Sequence, residues 1–324
     1  MKIWCNAQWT PESRAFLEAG VAGFGSHSLE FSLQASASNL VAGTADPAMA
    51  TAQIVFGQPD PGGILAAPGI AWVHLTSAGY TRYDEDGFRS GFAARGGRLT
   101  TSSGVYSDPC AEQALAFILS AARQLPQSLD NQRSEQGWPA RERRAGSRLL
   151  RGQTVLLLGF GAIGRRLTEL LAPFEVKVLA FRRQPVQVAG VEMVGLDRLG
   201  AAFSAADHVV NLLPENRDTV GFMDGARFSQ MKPGACFHNV GRGRTVDQEA
   251  LRTVLDSGHL GAAYLDVTEP EPLPKSHPLW TTPRCWITPH TAGGHSDEET
   301  RQIRHFLENL RRWNAGSPLL DQVI

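Results

Sequence analysis

The stretch Thr154-Val-Leu-Leu-Leu158-Gly159-Phe-Gly161-Ala-Ile-Gly164 decides how this chain of 324 residues is read. A short apolar run ends in three glycines spaced Gly-x-Gly-x-x-Gly, and a helical pattern follows to about residue 172. Gly159 permits a tight turn, Gly161 lets backbone approach a pyrophosphate, and Gly164 allows a helix to pack closely on a strand. Ala162 and Ile163 open the helix, whose N–H groups and positive dipole end suit an anion. In a strand–turn–helix setting the pattern predicts a dinucleotide site. A glycine turn that binds nothing, and the related loop of a methyltransferase, stay open at this point.

Outward from that loop the pattern is regular. Apolar runs at 155–158, 176–181, 208–213, 235–240, 262–267 and 285–288 are separated by helical segments at 163–172, 224–231 and 247–257. Short unbroken apolar strands alternating with helices predict a doubly wound α/β domain with a parallel sheet covered on both faces. Before it, strands are expected at 52–56 and 70–75, around the loop Gly57-Gln-Pro-Asp-Pro-Gly-Gly63, the second ending in Thr76-Ser-Ala-Gly79. Residues 33–53 are expected to hold a surface turn or short helix. Ser107-Asp-Pro109 is read as the start of a long helix to about Arg123, with a capping oxygen and Pro in the first turn. Residues 125–150, rich in Arg around Trp138, read as a solvated connector, and an amphipathic helix is expected from about Asp297.

Composition bounds the function. The 31 Lys and Arg against 32 Asp and Glu leave a net charge of −1, which offers no long-range pull on nucleic acid or anionic membrane. The hydrophobic fraction of 42% is that of a globular chain, and its length suggests two domains. The longest apolar run, 155–163, is too short to cross a bilayer. The start, Met1-Lys2-Ile3-Trp4-Cys5-Asn6, is unlike a secretory signal. Cys5, Cys110, Cys236 and Cys285 are scattered and the histidines lack ligand spacing, so reduced thiols, no metal and a cytoplasmic location are expected.

The end of the second strand bears on the cofactor. A NAD site usually places Asp or Glu about 20 residues past the glycine loop to hold the ribose hydroxyls. Here Arg182-Arg183-Gln184 stands at the strand end, and no carboxylate occurs between Val176 and Val191. Two guanidiniums suit a 2′-phosphate, so NADP(H) is preferred and NAD(H) is possible. Three further residues follow strands of the same half: Arg242 in Asn239-Val-Gly-Arg-Gly243, Glu271 in Thr268-Glu-Pro-Glu-Pro-Leu-Pro274, and His290 in Thr288-Pro-His290. Each alone has a bland explanation, as a solvated arginine, a turn cap or a structural histidine. Together they supply what reduction of a 2-oxo acid needs. A guanidinium holds carboxylate and polarises carbonyl, an imidazole exchanges the hydroxyl proton, and a carboxylate orients it and favours its protonated form.

On these residues, with Leu150-Arg-Gly-Gln-Thr-Val155, Val209-Val-Asn-Leu-Leu-Pro214 and Leu265-Asp-Val-Thr268, the chain resembles the D-isomer-specific 2-hydroxyacid dehydrogenase family. The likeness is to its glyoxylate/hydroxypyruvate reductase-like branch. It runs from about Ala52 to Gly294. The resemblance implies that Arg242 binds substrate, His290 donates the proton in reduction and Glu271 pairs with it. It implies that backbone amides of Ser77, Ala78 and Gly79 receive the substrate carboxylate, and that Leu213, Val240, Gly241, Asp266 and Gly293 line the cofactor. It implies a Rossmann dinucleotide-binding domain, 108–293, hinged to a smaller flavodoxin-like substrate domain of 1–107 and 294–324, and a homodimer with contacts near Trp138. Tyr80-Thr81 stands where the family commonly has Val-Asp, and Glu271 stands where the formate dehydrogenase branch uses Gln. The expected activity is therefore that of an oxidoreductase on CH–OH donors, reducing glyoxylate- or hydroxypyruvate-type acids to D-2-hydroxy acids. The competing reading is a dinucleotide-sensing, corepressor-like binding protein with little turnover.

Overall fold

The computed structural model describes residues 1–36, 43–44, 46–184 and 187–324. In chain order its strands and helices begin β1 Lys2–Ala7, α1 Pro11–Ala22, β2 Ser28–Ser36, β3 Ile54–Gly57, α2 Pro61–Ala66, β4 Trp72–Leu75, α3 Asp86–Ala94 and β5 Arg98–Thr100. Helices α4 Ser103–Arg123, α5 Leu125–Arg133 and α6 Ala140–Gly146 follow. Then come β6 Thr154–Leu158, α7 Ala162–Leu171, β7 Lys177–Phe181, β8 Val191–Val194, α8 Leu199–Ala205 and β9 His208–Asn211. The chain ends with α9 Gly225–Gln230, β10 Cys236–Asn239, α10 Gln248–Asp256, β11 Ala262–Leu265, β12 Cys285–Ile287 and α11 Glu298–Asn314. These pack as two compact units, Met1–Tyr106 with Gly294–Ile324, and Ser107–Gly293.

The first unit holds a parallel sheet of order β2-β1-β3-β4-β5, the flavodoxin order, with its switch point between β1 and β3. Every residue of β3 and β4 is buried, because helices cover the sheet and each strand reads as an apolar run. Helix α11 presents Ile303, Phe306 and Leu310 to this core, and the Phe306 ring stacks on Phe56 at 4.2 Å between centroids. Thr10 caps α1 by accepting from the Ser13 amide, with Pro11 preset for the first turn.

The second unit holds a parallel sheet of order β12-β11-β10-β9-β6-β7-β8. The chain winds outward from β6 through β7 and β8, returns to β9, and winds the other way. The doubly wound expectation thus holds, and the switch point lies between β6 and β9, where the glycine loop leaves the sheet.

The structure corrects several local expectations. Helix α4 starts at Ser103 rather than near Ser107, because the Asp321 carboxylate accepts from the Gly104 amide at 2.7 Å and Ser102 O from Val105 N. Pro109 therefore lies inside the helix, where its missing N–H removes one rung. The connector at 125–150 contains two short helices, α5 and α6, because its glycines and prolines fall at helix ends. Strand β8 and helix α8 were not expected, and neither were β1, α1, β2, α3 and β5 of the first unit; in β8 exposed Glu192 interrupts half-buried Val191 and Met193, so it does not read as an apolar run. Helix α2 begins within the loop at 57–63, where Asp60 caps it and Pro61 opens it. Of the turn or short helix expected at 33–53, residues 33–36 belong to β2 and Pro47–Thr51 form a 3-10 turn. Residues 37–42 and 45 lie outside the described residues.

Two buried histidines give the second unit an acid sensitivity. His208 Nδ1 lies 3.0 Å from His238 Nε2, and His208 Nε2 lies 3.0 Å from Gln153 Oε1. Burial pushes His208 down to about 4 and His238 well below the usual imidazole range. Both are neutral when folded and gain protons when unfolded, so their contribution is intact above about pH 7. It declines as pH falls from 6.5 towards 4, by about 1.4 kcal/mol per pH unit for each histidine. Urea midpoints should show this acid limb in the natural chain and a shallower one in a His208→Gln, His238→Phe double variant. Equal slopes between pH 6.5 and 4.5 would contradict it.

Candidate active site

The glycine loop leaves β6 at the switch point of the second sheet, where open α/β folds place ligands. Gly159 has φ +98°, and a Cβ there would stand 3.0 Å from Leu212 O, just past β9, so the turn requires glycine. Helix α7 begins at Ala162 with no side-chain cap on its first turn, and the first internal bond runs from Arg165 N to Gly161 O. A Cβ on Gly161 would meet nothing within 4 Å. Uncapped amides at Ala162, Ile163 and Gly164 beside open space fit a dinucleotide pyrophosphate.

Strand β7 ends at Phe181 as expected, and the two arginines differ in setting. Arg183 Nη1 bonds the Asp218 carboxylate at 2.8 Å on an exposed surface. Arg182 is half-buried and makes no ion pair with another described residue.

Leu213, Val240 and Gly241 are buried just past the carboxyl ends of β9 and β10. Arg242 is set there by a polar network. Asn211 Nδ2 donates to Asn239 Oδ1 at 3.0 Å and to Thr245 Oγ1 at 2.7 Å. Asn239 Nδ2 and Thr245 Oγ1 both donate to Arg242 O, and Arg242 Nη1 bonds Gly241 O at 2.7 Å. The arginine backbone is thus fixed by two buried asparagines that end neighbouring strands.

Asp266, 2% exposed at the end of β11, organises the loop beyond β12. Its Oδ1 accepts from Thr288 Oγ1 at 2.5 Å and from Thr291 N at 2.9 Å, and its Oδ2 from Ala292 N at 2.9 Å. Its carbonyl accepts from His290 N at 2.8 Å. The loop so held carries half-buried Gly293 and puts His290 at φ +52°, a left-handed conformation that costs a non-glycine residue about 1 kcal/mol or more. His290 Nδ1 then lies 2.7 Å from Glu271 Oε2, while Glu271 Oε1 accepts from Thr268 N at 2.9 Å. Burial pushes the Glu271 carboxyl up. The His290 and Thr268 hydrogen bonds and the charges of His290 and Arg242 outweigh it, holding the group below the usual carboxylate range.

In the first unit, Ser77, Ala78 and Gly79 form a half-buried turn past β4. Ser77 Oγ donates to Gly79 O at 2.6 Å, and Ser77 O accepts from Ser102 N. The amides of residues 77–79 bond no acceptor among the described residues, which suits them to an anion. Among the described residues no His, Cys, Asp and Glu group could hold a metal, and no helix is long and apolar enough to cross a membrane.

Sequence reading placed Arg242, Glu271 and His290 past strands of one sheet, and the structure brings Glu271 and His290 into contact with the Arg242 charge near. It missed the supports: Asn211, Asn239 and Thr245 around Arg242, and the bonds of Asp266 to Thr288, Thr291 and Ala292. The available signal was polar residues closing apolar strands. Asp266→Asn leaves one carbonyl oxygen for three donors, and should lower unfolding stability by about 2 kcal/mol, read by urea titration. An unchanged midpoint would contradict the organising role. The depressed Glu271 group contributes stability that is complete above about pH 4.5 and lost as pH falls through its folded value. Glu271→Gln should remove that increment.

A family model described as the NAD binding domain of D-isomer specific 2-hydroxyacid dehydrogenases matches residues 115–292. The glyoxylate reductase/hydroxypyruvate reductase of Mus musculus is 35% identical over 224 residues, 66% of this chain and 65% of that one. Glyoxylate/hydroxypyruvate reductase A of Serratia proteamaculans is 36% identical over 140 residues, 43% of this chain and 45% of that protein. The chain thus aligns with less than two thirds of either relative's length. A D-isomer specific 2-hydroxyacid dehydrogenase from Xanthobacter autotrophicus Py2, solved with NADPH and MES, superposes with TM-score 0.81 at 27% identity, covering 100% of this chain and 97% of that one. With more than half its length matched by the family model, the chain belongs to the D-isomer specific 2-hydroxyacid dehydrogenase family.

Proposed function

We propose that the chain is an NADP-preferring 2-hydroxyacid dehydrogenase that reduces a short 2-oxo acid, of glyoxylate or hydroxypyruvate type, to the D-2-hydroxy acid. The observation that carries this reading is the 2.7 Å contact of His290 Nδ1 with Glu271, on a loop tied down by Asp266 at the same sheet edge as Arg242 and the glycine loop. A reduced nicotinamide dinucleotide supplies the hydride. The backbone around Gly159, Gly161, Ala162, Ile163 and Gly164 holds its pyrophosphate, and Leu213, Val240, Gly241, Asp266 and Gly293 line its nicotinamide end. The relatives' names and the family match support this reading.

In this reading Arg242 binds the substrate carboxylate and polarises the carbonyl being reduced. The amides of Ser77, Ala78 and Gly79 receive the carboxylate from their own unit. His290, with Nδ1 committed to Glu271, delivers the proton on Nε2 to the carbonyl oxygen as C2 gains hydride. Glu271 keeps the ring in that orientation. The unit Ser107–Gly293 then serves the dinucleotide, and Met1–Tyr106 with Gly294–Ile324 serves the substrate. Arg182, half-buried and without a described ion pair, is the principal ligand for a 2′-phosphate, and Arg183 would exchange Asp218 for it. Exposed Leu125, Leu129, Trp138 and Leu149, with Trp138 93% exposed, support a homodimer contact around α5 and α6.

A panel of 2-oxo acids run with NADPH and NADH tests the proposal. Turnover should favour NADPH, and His290→Ala should lower kcat by roughly 10²–10⁴. Arg182→Ala should raise the KM for NADPH by about tenfold or more, with little change for NADH, as expected for a lost charge-assisted contact. Tight dinucleotide binding with no turnover on any 2-oxo acid would overturn the enzyme in favour of a dinucleotide sensor.

A further inference from the structure

The first unit has its own switch point, between β1 and β3, and a buried polar side chain stands there that the proposed chemistry does not use. Gln58 directly follows β3 and is 2% exposed. Its backbone is clamped to the end of β1: Gln58 N donates to Asn6 Oδ1 at 2.7 Å, and Asn6 Nδ2 donates to Gln58 O at 2.9 Å. Asn6 is itself buried. The preceding Gly57 has φ +135°, and a Cβ there would stand 2.0 Å from Asn6 Oδ1, so only glycine lets the two strand ends approach this closely.

The amide of Gln58 can point only one way. A guanidinium donates and never accepts, so the atom facing Arg82 Nη1 at 3.2 Å is Oε1. Nε2 therefore faces the next strand end, where it donates to Thr76 Oγ1 and to Ser77 Oγ, each at 3.0 Å. With a lone pair of Ser77 Oγ engaged by Gln58, the serine proton goes to Gly79 O at 2.6 Å. The neighbouring carbonyls are held by other groups, Thr76 O by the Tyr106 hydroxyl at 2.9 Å and Ser77 O by Ser102 N. The hydroxyls of Thr76 and Ser77 and the carbonyls of Thr76, Ser77 and Gly79 are thus engaged inside the fold, while the three amides of residues 77–79 bond no acceptor among the described residues.

We propose that Gln58 is a positioning residue for substrate-carboxylate binding, setting the loop 77–79 through Ser77 and Thr76. The inference rests on the reading of that loop given under Proposed function. The chemistry is specific to an amide. Leucine fills the space but leaves two hydroxyls without their donor. Glutamate keeps the shape but supplies no N–H, draws the Ser77 proton away from Gly79 O, and brings negative charge beside a loop meant for a carboxylate.

Steady-state kinetics of the full chain with glyoxylate and NADPH test this, with oxalate as a competing dicarboxylate. The KM for glyoxylate and the inhibition constant for oxalate should rise together. The expected rise is about 5- to 50-fold in Gln58→Leu, and more in Gln58→Glu, as for loss of buried hydrogen bonds. The KM for NADPH and kcat should stay within about threefold, since those steps belong to the other unit. Ser77→Ala should act in the same direction, and Gln58→Leu combined with Ser77→Ala should be no worse than the more damaging single change. Glyoxylate KM and oxalate inhibition within twofold of the natural chain in both Gln58 variants would overturn the inference, as would equal rises in the KM for both substrates. If Gln58→Leu does not fold, Gln58→Glu decides by the same criteria. A natural chain that turns over no 2-oxo acid contradicts the earlier reading, whereas normal turnover with unchanged KM in the variants contradicts this one alone.

Discussion

A single buried carboxylate sets the geometry on which the site depends. Asp266 has left water at the end of β11, so its oxygens must find donors within the protein. It takes them from Thr288, Thr291 and Ala292, residues that bracket His290. Three bonds to one anion are enough to hold His290 in a left-handed conformation that its side chain disfavours. The ring is thereby presented to Glu271, which a backbone bond from Thr268 fixes from the other side. The imidazole–carboxylate pair is therefore a product of backbone constraint on both partners, which is how a site of two exposed-loop residues keeps one arrangement.

The same device recurs. Asn211 and Asn239 close β9 and β10 and fix Arg242, and Asn6 and Gln58 close β1 and β3 and fix the loop 77–79. In each sheet apolar strands supply the scaffold, and a buried polar group stands at or within one residue of the strand's end. The cost of burying that group is offset only when its bonds are all made, so each such residue dictates the path of the chain beyond it. Switch points are where two such strand ends diverge and leave room above the sheet. The glycine loop occupies that place in one unit, and Gln58 in the other.

The sequence made the scaffold legible because its strongest signals are local. The apolar runs of the second unit, the glycine spacing before Ala162 and the loop prolines each depend on a few consecutive residues. The strands and helices it implied were found, but β1, α1, β2, α3 and β5 of the first unit and β8 and α8 of the second went unforeseen, because their apolar positions are interrupted by polar ones. Where a signal depended on distant chain, it failed. Pro109 looked like a helix start because nothing local shows that Asp321 caps Gly104 and carries the helix four residues further back. The supports of Arg242 and His290 were illegible for the same reason: Thr245 and Thr288 are ordinary residues until the fold sets them against Asn211 and Asp266. Arg182 and Arg183 were equivalent as letters, and only the ion pair with Asp218 tells them apart.

Hydride transfer to a 2-oxo acid is the chemistry proposed for this arrangement. Its most direct test is product analysis with NADPH bearing deuterium at the transferring position of C4 and glyoxylate or hydroxypyruvate as acceptor. One deuterium should be bonded to C2 of the hydroxy acid and, for hydroxypyruvate, a single D-configured product should form. A folded, dinucleotide-binding chain that leaves no deuterium at C2 of either product would contradict it.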